Sequence, residues 1–130
     1  MFYEVQLTIP PGTLASAPVT ERMPVHPGKV HAVEIFFPDG CTWDVSLVIY
    51  LRSQQLWPSN PDAAFHGNNE RIAFLEDFLL DQPPFEFEVR GWAPDTRYEH
   101  TPIIRVGVLS ETLGVSDLIK MLAGPAVAGP

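Results

Sequence analysis

Fourteen prolines and nine glycines punctuate the 130-residue chain, and their placement constrains the fold more than any other feature. Eleven of the prolines and three of the glycines fall at Pro10-Pro11-Gly12, Pro24, Pro27-Gly28, Pro38-Asp39-Gly40, Pro58, Pro61, Pro83-Pro84, Pro94 and Pro102, between short apolar stretches. Proline lacks an amide hydrogen and fixes φ, so this spacing disfavours long helices before Ser110 and reads as strands joined by turns.

The stretches between the turns alternate. Tyr3, Val5, Leu7 and Ile9 share one face, with Glu4, Gln6 and Thr8 on the other, the period of a half-buried strand. After the small-residue stretch from Leu14 to Thr20, a short strand around Arg22 to Val25 leads to His26-Pro27-Gly28. Lys29–Phe37 then alternates Val33, Ile35 and Phe37 against Ala32, Glu34 and Phe36, and Pro38-Asp39-Gly40 is expected to close a hairpin. Its return arm sets Cys41, Trp43, Val45, Leu47, Ile49 and Leu51 on one face, which predicts core.

Residues 52 to 69 read as a long connection carrying Trp57 and Phe65 among turn formers, a place to expect contacts. Residues 70–75 read as a strand followed by a short turn. Phe85, Phe87 and Val89 mark another strand, Pro94-Asp95-Thr96 the turn of a second hairpin, and Ile104, Val106 and Val108 its return arm. Seven or eight strands at this spacing predict an all-β, antiparallel sandwich or jelly roll over residues 1–109.

The C-terminal segment has a different character. Ser116 can cap a short helix, with Asp117 in its first turn and Gly124 as a stop, so 110–123 reads as a helical arm and 124–130 as a disordered tail. Leu118, Ile119 and Leu122 would form an apolar stripe. Two turns of helix do not persist alone in water, so the stripe must dock on its own domain or a neighbour.

Charge narrows the partners. A net charge of −8 and a pI near 4.8 disfavour direct nucleic-acid binding, which depends on Lys and Arg displacing counterions, and disfavour anionic membranes. The partner expected is protein, including other copies in a homo-oligomer. The chain shows neither a signal-peptide pattern nor an apolar run of membrane-spanning length, so synthesis and folding in the cytoplasm are expected.

His26, His31, His66 and His100 do not fall at spacings that converge on one ion, and Cys41 is alone, so no metal or cofactor site is expected. On an apolar strand face Cys41 behaves as a small hydrophobe, and Glu86 and Glu88 read as alternate polar residues of a strand before they read as a catalytic pair. No catalytic constellation is expected. Trp57, Phe65 and Trp92, with Leu118, Ile119 and Leu122, are the candidate interface residues; pinning a loop to the core, or stacking on sugar beside Asn60, Asn68 and Asn69, are the other roles open to the three aromatics.

The order of elements carries a resemblance. Thr8-Ile9-Pro10-Pro11-Gly12-Thr13, Phe36-Phe37-Pro38-Asp39-Gly40-Cys41, Leu56-Trp57-Pro58-Ser59-Asn60 and Arg97-Tyr98-Glu99-His100-Thr101 follow one another in an arrangement that resembles small β-sandwich structural proteins of tailed bacteriophages, of the decoration, minor capsid or adaptor type. It spans residues 3–109. The resemblance implies a non-enzymatic virion protein that is made in the host cytoplasm and binds capsid or tail subunits; a carbohydrate-binding module is the alternative.

Overall fold

The computed structural model describes residues 1–110. They form eight strands: β1 (Phe2–Gln6), β2 (Val19–Pro24), β3 (Gly28–Phe37), β4 (Ser46–Leu51), β5 (Gln54–Trp57), β6 (Glu70–Leu80), β7 (Glu86–Trp92) and β8 (Ile103–Ser110). Apart from Ser110, the segments expected as a helical arm and a tail lie outside the described residues, and Leu118, Ile119 and Leu122 with them.

The strands build two four-stranded antiparallel sheets, ordered β1-β8-β3-β6 and β2-β7-β4-β5. The chain changes sheet at every connection except the β4–β5 hairpin. That corrects two expectations. Pro38-Asp39-Gly40 and Pro94-Asp95-Thr96 do turn the chain, and Gly40 takes a φ of 102°, but each passes it to the other sheet instead of closing a hairpin. A turn sets chain direction locally, whereas strand partners are chosen by which apolar faces can be buried together.

The alternating residues point into one β-sandwich-like core. Val30, Val33, Ile35, Phe37, Ile104, Val106 and Val108 come from one sheet, and Met23, Leu47, Ile49, Leu51, Phe87 and Val89 from the other. The inward phase of β1 runs on past its last ladder pair, because Leu7 N–H donates to the Pro102 carbonyl and Ile9 bridges to His100, so both side chains stay buried. Above them β7 carries Gly91, where a Cβ would come within 2.5 Å of Ile9 Cδ1 and 2.8 Å of Leu7 Cδ2. Their tips lie against the sheet where residue 91 has no side chain.

Two strands differ from their sequence patterns. The apolar alternation from Cys41 to Leu51 is a strand only from Ser46; Thr42 and Trp43 take φ values of 47° and 66°, and Trp43 is 61% exposed while Cys41, Val45 and Leu47 are buried. Hydrogen bonding explains the break, since the N–H groups of Gly40 and Thr42 both donate to Asn68 Oδ1, at 2.9 and 3.0 Å, and that of Trp43 to the Gly67 carbonyl. Conversely, β6 runs for 11 residues to Leu80, with no turn after residue 75.

The β4–β5 hairpin turns on Arg52 and Ser53, whose φ values of 53° and 65° are the left-handed pair that a two-residue hairpin needs to match strand twist. The Arg52 guanidinium then donates to the carbonyls of Gln82 and Pro83, fixing the hairpin tip to the β6–β7 connection.

Candidate binding surfaces

The 52–69 connection is a folded structure containing β5, and its aromatic residues face inward. Trp57 is 3% exposed. Its Nε1–H donates to Glu76 Oε2 at 2.8 Å, and its ring meets Phe74 and Phe78 edge-on, with centroids 6.3 Å away, and Phe87 at 5.5 Å. Trp57 therefore pins the connection to the core and is not an exposed anchor, because an indole buries more apolar area against three rings than it can at the surface. Phe65 is half-buried, paired with Leu47 and stacked on Phe74 at 6.1 Å. Trp92 is half-buried at the end of β7, opposite Ser46. The amide of Gln55 gathers the rest of the loop, donating to the carbonyls of Pro58, Asn60 and Ala63.

The outer face of the β1-β8-β3-β6 sheet carries exposed apolar side chains. Register brings Glu4, Arg105 and Glu34 side by side across β1, β8 and β3. Arg105 donates to Glu4 Oε1 at 2.7 Å and to Glu34 Oε1 at 3.3 Å, and Arg71 of β6 approaches Glu34 at 3.9 Å. The hydrogen bond from Arg105 holds the Glu4 carboxyl below its ordinary value, and Glu4 in turn raises Arg105. With Lys29 paired to Asp77, the face holds three acidic and three basic side chains. It is electrically balanced on a chain carrying −8.

Around this ladder lie the exposed apolar side chains Phe2, Phe36, Leu75 and Leu79. A groove of about 360 Å³ opens between Glu34, Phe36, Arg71, Ile103 and Arg105. The Phe2 ring covers Gly107, where a Cβ would stand 2.9 Å from it, and meets His31 edge-on. Sequence reading passed over these residues because they sit on the polar phase of their strands; the available signal was apolar character on both phases, as in Ile35-Phe36-Phe37 and Phe78-Leu79-Leu80.

A second surface lies at one end of the sandwich. The loop carrying Trp43 is tied to Gly67 and Asn68, and Thr42 Oγ1 donates to Asp44 Oδ2 at 3.2 Å. Beside it a shallow hollow of about 230 Å³ is lined by Thr42, Asp44, Asp95, Thr96, Arg97, Tyr98 and His100. Left-handed φ at a β-branched residue is uncommon and persists where surrounding contacts enforce it. Here those contacts hold Trp43 out in solvent.

The remaining reactive groups are engaged singly. Glu86 pairs with Arg22 and Glu88 with Arg90, whose guanidinium also lies 3.8 Å above the Tyr50 ring. Ser46 Oγ is 3.2 Å from His66 Nδ1, and among the described residues no carboxylate bonds that ring. No group of three potential metal ligands occurs among the described residues. Burial, and then Asp39, push the Cys41 thiol up to about 11. Less thiolate and less access both slow reaction, so at pH 8 a disulfide reagent should label the native chain at least about tenfold more slowly than the unfolded one. Comparable rates would place Cys41 within reach of solvent. Because the unfolded thiol ionises at its ordinary value of 9.0 and the folded one near 11, stability should fall as pH rises between them.

Compared with protein-family models, curated proteins and solved structures, the chain matches none.

Proposed function

We propose that this chain is a virion structural protein, of the decoration, minor capsid or tail-adaptor kind, that binds a protein shell through the outer face of the β1-β8-β3-β6 sheet. The observation that carries the reading is the character of that face: balanced charge, with Phe2, Phe36, Leu75 and Leu79 exposed around a groove, on a chain of net charge −8. An apolar, charge-neutral patch on an otherwise acidic protein favours burial against another protein and gives nucleic acid nothing to bind. We read the winding, with β1-β8-β3-β6 facing β2-β7-β4-β5, as a jelly roll, an architecture used by capsid and lectin domains alike. Fold alone does not choose between them. With Trp57 buried, we take the sheet face, and not the 52–69 connection, as the contact surface.

Sedimentation of the purified chain with candidate shell subunits tests the proposal. Co-sedimentation is expected, and Phe36→Glu should weaken it at least about tenfold, as charging an interface centre does, without changing the circular dichroism spectrum. A chain that ignores every shell component overturns the reading.

One observation favours a second reading, a carbohydrate-binding module: Trp43 and Tyr98 are 61% and 75% exposed beside Asp44, Asp95 and His100. Exposed aromatic rings flanked by carboxylates suit sugar stacking. That reading predicts a glycan-array signal lost in Trp43→Ala, and a wild-type chain without signal ends it.

A further inference from the structure

We infer that two copies of this chain pair antiparallel along β6, joining their β1-β8-β3-β6 sheets into one eight-stranded sheet across a two-fold axis. The inference goes beyond shell binding: it uses the backbone edge of β6, although Arg71 and Leu75 also belong to the sheet face proposed for the shell. An edge strand presents unpaired backbone donors and acceptors, and proteins keep such edges short or interrupt them with proline. Three edges here follow that rule: β1 has five residues, β5 has four and is followed by Pro58, and β2 ends in Pro24. β6 does not. It is the longest strand, without proline or glycine, and it exposes Leu75 at 87% and Leu79 at 55%.

Its sequence is self-complementary in one register. With the axis through Phe74, Arg71 of one copy lies opposite Asp77 of the other, at both ends. Between them, Ala73 faces Leu75 on the outer face, while on the inner one the half-buried Phe74 rings meet and Ile72 lies opposite Glu76, whose carboxylate accepts from Trp57. Aromatic and opposite-charge cross-strand pairs are among those that stabilise a ladder. Moving the axis to Ala73 sets Glu70 against Glu76, moving it to Glu76 sets that carboxylate against its own copy, and moving it to Leu75 leaves Arg71 only diagonal to Asp77. Within one chain both charges remain reachable, since Arg71 and Asp77 side chains are 63% and 78% exposed. The irregular pairing of β3 with β6 falls at Glu76 and Asp77, and the alternation of exposed and half-buried side chains runs on through it to Leu79.

Charge complementation tests the interface. Sedimentation equilibrium of the purified full chain should show a dimer. Arg71→Asp sets Asp against Asp at both ends, and Asp77→Arg sets Arg against Arg, so each variant alone should dimerise about thirtyfold more weakly. Mixed in equal amounts, the two variants restore opposite charges at both ends, and the dimer should return. Phe36→Glu, which tests the shell-binding face, should leave it intact. The inference is overturned by a wild-type chain that stays monomeric at every concentration, by single variants that dimerise as tightly as wild type, by a mixture that does not recover, or by a dimer lost in Phe36→Glu.

Discussion

Trp57→Ala is expected to lower the unfolding free energy by about 3–5 kcal/mol, the cost of emptying a large aromatic site in a core. Its contacts account for an effect of that size. The indole packs on Phe74, Phe78 and Phe87, and it supplies the hydrogen bond that Glu76 receives on the inner side of an edge strand. Trp57→Phe separates the two contributions: it keeps an aromatic ring and removes the donor, which should cost about 1–3 kcal/mol. Denaturant titration followed by circular dichroism reads both. A loss below about 1 kcal/mol in the alanine variant would mean that the residue lies outside the core.

Gly91→Val should cost about 3 kcal/mol, at the upper end of what overpacking imposes, and Gly91→Ala about 1 kcal/mol. The first added carbon already meets the tips of Ile9 and Leu7, which can give way by changing rotamer. Two further methyl groups have nowhere to go, because Leu7 and Ile9 are themselves 1% and 0% exposed. Thermal unfolding of the two variants should therefore rank alanine well above valine. Equal midpoints would show that the chain past β1 moves freely off the sheet.

Much of the architecture was legible in the chain, and the parts that were not share a cause. Strict alternation identified β3, β7, β8 and the inward phase of β1, because burial on one face imposes that period directly. It failed at Trp43, where the apolar alternation continues while the backbone does not: Asn68, 26 residues after Thr42, captures the amides that a strand would have paired. It failed again at Leu75 and Leu79, whose apolar side chains on the outer phase hide the period of β6. The balanced sheet face was invisible for a similar reason, since Glu4, Glu34, Arg71 and Arg105 are scattered along the chain and meet only through strand register. Turn positions were readable; the sheet each turn leads to was not, because that depends on distant partners.

The seating of β8 between β1 and β3 also sets a timetable. Phe2 pairs with Gly107, and Met1 contacts Val108, so β1 gains its ladder partner only once residues about a hundred positions away in sequence are in place. Loop closure over that span comes before the contacts that offset it, and pairings so distant in sequence slow folding. Until then, the apolar runs of β3 and β6 are bare on a nascent polypeptide, and a chaperone able to shield them would govern the yield of native protein.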